Sequence, residues 1–416
     1  MNLKKEYDLI VIGGGASGMM AAITAAREKK SVLLLEKLSQ IGAKLKATGG
    51  GRCNLTNTLS SEEFMAKFGR NGRFMQDALK EFDHKDLMHF FKEIGVETHA
   101  PDGFRVFPTS HSSQTIINAL LDEMHRVGVE ILTSQKVQNI LQADNQICGV
   151  KTTEKTFYAK NVLIATGGLG YPTLGAEGDG HEMARELGHK VTELYPAMMP
   201  LFVKESWVAN CRADTIAKVE LRVAIKKHSK LKAHGDLIFT KSGIRGPVVL
   251  DAARELTPLL ERYGEVPILV NLTKGMNEEQ ILKHLKKEAA KDPNATMLEL
   301  LTTLLPSSLS KELCTLAEID PLLTNSKISG AQRAKLIQLL AYTPLTVTGH
   351  EGFKMAMITS GGVDLKEIEP KTMQSRVIKG LYFCGEVMNL DGPCGGYNLQ
   401  WSFAGGHLAG LLRKNT

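Results

Sequence analysis

The chain has little of what marks membrane, disulfide-bonded or metal-centred proteins. No apolar run in its 416 residues reaches the ~18 residues that a membrane-spanning helix needs. Its six cysteines, Cys53, Cys148, Cys211, Cys314, Cys384 and Cys394, lie far apart and form no C-x-x-C pair. That spacing excludes a zinc cage and a disulfide framework, and reduced thiols in a cytoplasmic protein are the expectation. His-x-x-x-His and Cys/His ligand spacings are missing too, so no metal is expected. Long Lys/Arg runs are absent, and the formal charge of +6 is dispersed. The densest basic stretch, IKKHSKLK at 225–232, reads equally well as a solvated edge strand. Neither a nucleic-acid nor a membrane partner is therefore expected. Lys4 and Lys5 ahead of LIVIGGG imitate a signal peptide, but glycines break the apolar run after four residues, so no leader is expected. Repeats and low-complexity tracts are also absent.

What is present is a folded protein of ordinary composition, 43% hydrophobic and 23% charged, long enough for two or three domains. The most informative segment is YDLIVIGGGASGMMAAITAAREKKSVLLLEK, 7–37. Leu9 to Ile12 read as a buried parallel strand. Gly13-x-Gly15-x-x-Gly18 follows at once, then a small-residue helix through Ala21, Ala22, Ala25 and Ala26, and a second strand from Ser31 ending at Glu36. Gly13 makes the tight turn, Gly15 lets backbone approach a pyrophosphate, and Gly18 lets helix pack on strand. The helix start supplies N–H groups and the positive end of a dipole. Glu36, about 20 residues on, accepts hydrogen bonds from a ribose 2′,3′-diol and repels a 2′-phosphate.

TGGGRCNLTN at 48–57 fails the context test for a second such loop, because it follows no strand and no Gly-Lys-Ser/Thr closes it. Further on, a strand at 162–165 ends in Thr166-Gly167-Gly168, and Gly178-Asp179-Gly180 leads into a helix. Near the C-terminus a strand at 381–384 runs into Gly385-Glu386, and Gly395-Gly396 precedes a helix from about Asn398 to Leu412.

A strand ending in ATGG, a GDG helix start, and G-E followed by G-G-x-N resemble flavoproteins with the glutathione-reductase type FAD fold, and more closely the fumarate reductase and succinate dehydrogenase flavoprotein subunits. TGGGRCNLTN and GGYNLQW together resemble the bacterial BaiN-type NAD(P)/FAD-dependent oxidoreductases, a likeness also carried by FTKSGIRGP (239–247) and MAMITSGGV (355–363). The implied fold class is α/β: a Rossmann-like FAD-binding domain formed by 1–192 and 352–416, with an inserted β-rich cap domain at 193–351 carrying a helical subdomain at about 276–342.

The resemblance implies a set of flavin-lining residues. From the first half of the chain come Gly13, Gly15, Ala16, Ser17, Gly18, Glu36, Lys37 and Lys44. The TGGGRCNLTN stretch adds Thr48, Gly49, Gly50, Gly51, Arg52, Cys53 and Asn54, wrapping the ribityl and ring region because glycine lets backbone lie against a flat ligand. Val137, Ala165, Thr166, Gly167, Gly385, Glu386, Gly396, Asn398 and Leu399 complete the set. Arg52 is a candidate for a phosphate or a substrate carbonyl, Asn54 and Thr56 for the ring edge, and Asn398, Leu399 and Gln400 for the helix start aimed at the flavin pyrimidine. Cys53 reads best as a packed, inert thiol. No histidine lies in the early glycine segment, so FAD is expected to be bound non-covalently.

In the middle, VELRVAIKK (219–227), DLIFTK (236–241) and VPILVNL (266–272) read as strands, with Gly243 and Gly246-Pro247 marking a turn. Asn277 with Gln280 is a capping-box signature for the first of several leucine-rich helices. Candidate catalytic residues are His350 and Tyr397 as proton donors, Tyr397 alternatively a packing residue, and Arg105 to orient an acidic or carbonyl substrate, with His111 nearby. The implied activity is hydride transfer through flavin N5, NAD(P)H-linked, reducing an activated C=C bond in a small hydrophobic substrate. The alternatives are a tRNA-directed flavoprotein and a regulatory flavin-binding protein. With one full fingerprint taken by FAD, NAD(P)H is expected to enter transiently through the substrate cleft.

Overall fold

The computed structural model describes residues 5–413. The chain forms two compact units, one made of the residues up to Tyr195 with those from Ile358 on, the other of Pro196–Met357. These junctions lie a few residues beyond 192/193 and 351/352 for a local reason. Beyond 192, a Cβ on Gly361 would stand 2.1 Å from the Glu193 carbonyl oxygen, so the chain is still packed inside the first unit there. At the far junction the Met357 N–H still donates to the Met198 carbonyl inside the second.

The first unit is built on a five-stranded parallel sheet. Along the chain its elements are β1 (Leu9–Ile12), α1 (Ala16–Arg27), β2 (Val32–Leu35), α2 (Ser113–Arg126), β3 (Glu130–Leu132), β4 (Val162–Ile164), α3 (Asp179–Glu186), β5 (Leu381–Phe383) and α4 (Tyr397–Gly410). The strand order is β5-β4-β1-β2-β3, so the late strand β5 closes the sheet beside β4. Leu163 sits between Val11 on one side and Tyr382 on the other. Leu9 to Val11 and Leu33 to Leu34 are wholly buried, as expected of strands covered on both faces. A second, four-stranded sheet of Glu6–Tyr7, Thr156–Ala159, Gln146–Thr152 and Val137–Ala143 lies in the same unit.

Helices α1 and α4 touch through glycine. A Cβ on Gly406 would stand 2.3 Å from the Ser17 carbonyl oxygen, and one on Gly410 2.5 Å from that of Ala21. The four-residue step is the same along both helices, so they run parallel and their N-termini point the same way. Thr24 and His407 add a hydrogen bond at 3.1 Å.

Elsewhere in the unit Ser375 Oγ lies 2.8 Å from His189 Nε2, and His189 Nδ1 3.1 Å from Glu367. This has the order of a nucleophile triad but acts as a pin. Ser375 is buried, and its oxygen already accepts the N–H groups of Val377 and Ile378.

The second unit is a closed barrel of Leu201–Val203, Gly243–Arg245, Lys232–Phe239, Thr215–Val223, Val266–Asn271 and Thr343–His350. The expected β-rich region is thus a closed barrel. The Asn277–Gln280 capping box forms at 2.9 Å in both directions, opening the helix Glu278–Lys291. One element differs from the sequence reading. Where a turn is expected, Pro247 starts a 17-residue helix, Pro247–Tyr263, which buries Val248, Val249, Ala252, Ala253, Leu256, Leu259 and Leu260. Pro fits the first helical turn, where its missing N–H has no intrahelical acceptor, and the apolar spacing is helical. Among the described residues no helix is long and apolar enough to cross a membrane.

Gly406→Val places a branched side chain against the Ser17 carbonyl. Chemical denaturation should show a loss of about 1–3 kcal/mol, the range for overpacked interiors.

Candidate functional site

Strand β1 delivers the chain to Gly13, whose φ of 107° and close approach to the Ala165 carbonyl, 2.6 Å from a Cβ, exclude any other residue. A Cβ on Gly18 would lie 2.0 Å from the Gly13 carbonyl oxygen, which seats α1 directly on the turn. Gly15 is the opposite case, since a Cβ there would meet nothing within 4 Å. It is also the N-cap of α1, with no side-chain cap and no acid in the first turn. The helix start therefore presents donors and positive potential to open space, the arrangement that binds phosphate. Ala16 and Ser17 lie buried in that first turn.

At the end of β2 the Glu36 carboxylate accepts the Gly14 N–H at 2.8 Å and the Leu38 N–H at 2.9 Å, fixing it beside the turn. Gly13, Glu36, Lys37, Val137, Thr166 and Asp179 line one recess. The Thr166 hydroxyl is buried with no hydrogen-bond partner among the described residues. Lys37 pairs with Asp179 and, at 2.8 Å, with Glu177, while Lys136 reaches Asp179 at 3.1 Å. Burial raises the Asp179 pKa, but the hydrogen bonds from Lys37 and Lys136 outweigh it and hold the carboxyl below its ordinary value. Asp179 stands in the GDG motif, whereas Lys136 carries no sequence signal.

In TGGGRCNLTN, Gly49, Gly50 and Gly51 take φ of 57°, 66° and 86°, and Gly50 and Gly51 open on free space. Gly167, with φ 72°, is equally open. Thr48 turns its hydroxyl to the Leu45 carbonyl. Cys53 is fully buried and burial pushes its thiol up to about 12, which disfavours the thiolate.

The amide side chains behave differently from the sequence reading. The Asn54 amide donates to the carbonyls of Thr56 (3.0 Å) and Val106 (3.3 Å) and accepts from the Gly396 N–H (3.0 Å). Thr56 is buried with its hydroxyl on the Asn57 carbonyl, and Asn57 donates to the Gly395 carbonyl at 3.0 Å. Asn54 and Thr56 thus tie the loop to the turn that opens α4, and their side chains do not reach for a ring edge. Asn398 likewise clasps Gly392 with both amide atoms, at 2.8 and 2.9 Å, and Gln400 is buried against the Phe82 carbonyl. Leu399 packs on the core. What α4 offers a ligand is its main chain and dipole. Lys44 pairs with Glu386 at 2.7 Å, and Gly385 sits on Ser17.

Of the catalytic candidates, Tyr397 has the surroundings of its alternative reading. It is buried among Phe64, Phe68 and Phe104, at 5.1, 6.2 and 6.4 Å between ring centroids, an environment that favours its packing role. Arg105 is exposed and paired with Asp102 at 2.7 Å, whose carboxyl the arginine's hydrogen bonds hold down at about 2. His350 belongs to the barrel unit and ends its last strand. Its Nδ1 accepts the Gly352 N–H at 3.0 Å, and burial lowers its pKa, so at neutral pH its one proton is on Nε2.

The open face of Gly15, the uncapped start of α1, the orphaned Thr166 hydroxyl and the fixed Glu36 carboxylate fit the diphosphate and ribose of FAD. Glu36→Ala should weaken FAD binding about 10- to 100-fold, the loss of hydrogen bonds to a charged acceptor, as read by fluorescence titration of the apoprotein.

Residues 7–412 match a family described as HI0933-like protein Rossmann domain. The 3-dehydro-bile acid delta(4,6)-reductase of Clostridium scindens is 34% identical over 403 residues, covering 96% of this chain and 97% of that one. A ribosomal RNA dihydrouridine synthase of Haemophilus influenzae is 29% identical over 409 residues, 97% of each chain. Among solved structures, 3-ketosteroid delta1-dehydrogenase from Sterolibacterium denitrificans aligns with a TM-score of 0.53 at 13% identity, covering 98% of this chain and 99% of that one. The 3-ketosteroid-delta4-(5alpha)-dehydrogenase from Rhodococcus jostii RHA1 gives 0.51 at 17% identity, covering 99% and 97%. These two likenesses carry the fold alone. By sequence and architecture together, the chain belongs to the HI0933-like Rossmann-domain family and is a flavoprotein oxidoreductase.

Proposed function

We propose that the protein uses NADH or NADPH to reduce a carbon–carbon double bond conjugated to a carbonyl, in a small hydrophobic substrate. The observation that carries the reading is the identity to the Clostridium scindens reductase along nearly the whole of both chains. A delta(4,6)-reductase acting on 3-dehydro compounds works on a double bond conjugated to a ketone. Dihydrouridine, named in the second relative, is uridine saturated at a double bond that is also conjugated to a carbonyl. One reaction type underlies both names: hydride adds to the β-carbon and a proton to the α-carbon.

FAD bound here and reduced by NADH or NADPH would supply the hydride. The turn from Gly13 to Gly18 and the start of α1 hold its diphosphate, and Glu36 takes its ribose hydroxyls. The start of α4 stabilises negative charge at the ring end through its dipole. His350 is the candidate to hold the proton, at Nε2. The sequence contains one full dinucleotide fingerprint, so the nicotinamide donor occupies the substrate side transiently.

A second reading, an RNA substrate, is favoured by one feature of the barrel unit. Lys226, Lys227, Lys230, Lys232 and His234 are all exposed on a single hairpin. Glu220 approaches Lys232 and His234, at 3.5 and 3.8 Å, while Lys226, Lys227 and Lys230 pair with no carboxylate among the described residues. Such a stripe matches a phosphate backbone.

Under anaerobic conditions NADPH or NADH should bleach the flavin bands, and a steroid 4-en-3-one should restore them with consumption of donor. Failure of both nicotinamides to bleach the flavin removes the proposed electron source. Bleaching without enone turnover, together with loss of dihydrouridine from the ribosomal RNA of a strain lacking the gene, replaces the first reading with the second.

A further inference from the structure

Two guanidinium groups stand beside one buried ring at the lip of the TGGG loop. The Arg52 Cζ lies 5.4 Å and the Arg105 Cζ 5.9 Å from the centroid of Phe107, and His111 stands 6.2 Å from the same ring. His99 packs edge-on against His111 at 4.8 Å. Phe107 is fixed from below, paired with His99 in a small sheet whose next strand pairs Asn57 with Arg105. Arg105 is thus set by backbone register as well as by the ring.

Charge at this corner is unbalanced. Asp102 is committed to Arg105 through its side chain and to the N–H groups of Phe104 and Arg105. Arg52 pairs with no carboxylate among the described residues, and only its Nε is engaged, by the Gly49 carbonyl at 3.3 Å. That bond holds the planar fork in place while leaving its terminal nitrogens to solvent. Gly49, Gly50 and Gly51 in the left-handed region are followed by Arg52 at φ −94°. The Arg52 and Cys53 N–H groups turn back onto the Gly49 and Thr48 carbonyls, so the turn closes on itself behind the face of Gly50 and Gly51. Gly50 and Gly51 themselves face open space.

We propose that Arg52, supported by Arg105 beside the open face of Gly50 and Gly51, forms an oxyanion-recognition site that takes a carboxylate or phosphate carried by the ligand meeting the flavin. Arg52 makes the primary contact because its fork is unpaired, and Arg105 adds field from across Phe107. A carboxylate and a phosphate both match a guanidinium bidentately, which a lysine does not reproduce. The site rests on the reading that substrate or nicotinamide donor enters beside the TGGG loop, and it makes Arg52 a specificity residue rather than part of the hydride or proton path.

The test is equilibrium binding and needs no turnover, so its failure and that of the proposed reaction are distinguishable. The FAD-loaded full-length protein is titrated calorimetrically with inorganic phosphate and, separately, with glutarate. Saturable binding of one anion per chain is expected, weakened about tenfold or more in Arg52→Ala and less in Arg105→Ala. Arg52→Lys should fall between wild type and Arg52→Ala, and Lys366→Ala, an exposed lysine outside the loop and the recess, should match wild type. An unaltered flavin spectrum shows that the loop survives the substitution, and Arg52→Lys carries the test if Arg52→Ala loses FAD. Preference for phosphate assigns a phosphorylated or nucleotide ligand, and preference for glutarate a carboxylated one. Absence of saturable binding by either anion, or binding unchanged in both arginine variants, overturns the proposal.

Discussion

The contact of Gly406 with the Ser17 carbonyl and of Gly410 with that of Ala21 sets everything that follows. Backbone against backbone fixes both the distance between α1 and α4 and their relative slide. Tyr397 lies nine residues before Gly406, whereas Ala16 lies one before Ser17, so α4 starts about 12 Å further out along a shared direction at 1.5 Å per residue. Two positive helix ends therefore stand at two depths of one site. The inner one faces the open turn at Gly15, and the outer one faces the TGGG loop. An extended cofactor with a diphosphate at one point and an electron-accepting ring at another suits that offset.

The TGGG loop and the turn that opens α4 are held by polar side chains that serve the fold. Asn54, Asn57 and Asn398 each carry an amide whose shape would suit a flavin edge, and each holds main chain in place. The effect is that glycine-rich backbone, locked by these clasps, becomes the surface a ligand meets. Such a surface costs little reorganisation on binding, because donors and dipoles are already fixed. The ion pairs Lys44–Glu386 and Lys37–Asp179 act in the same sense, joining distant parts of the chain around the cradle.

Much of this was legible in the residues because the constraints are local. A tight turn, a close helix approach and an acid at a strand end each demand particular residue types at short spacing, so Gly13, Gly18 and Glu36 declare themselves. The capping box at Asn277 is local in the same way. Contacts between distant segments were not legible. Nothing near Asn54 in sequence indicates that Gly396 is its partner, and nothing near Lys136 points to Asp179. Tyr397 sits in a motif that promises function, yet its surroundings come from Phe64, Phe68 and Phe104, far away in the chain. The helix at Pro247–Tyr263 was obscured by the Gly246-Pro247 pair, which marks a turn and a helix start equally well.

The most direct measurement is the flavin content of the purified full-length protein, by visible absorbance before and after reconstitution with FAD, followed by denaturation to release the cofactor. One FAD per chain, freed intact on unfolding, is the expected result for a cradle that binds through backbone, dipole and Glu36 without a covalent link. A colourless protein that takes up no added FAD would contradict it.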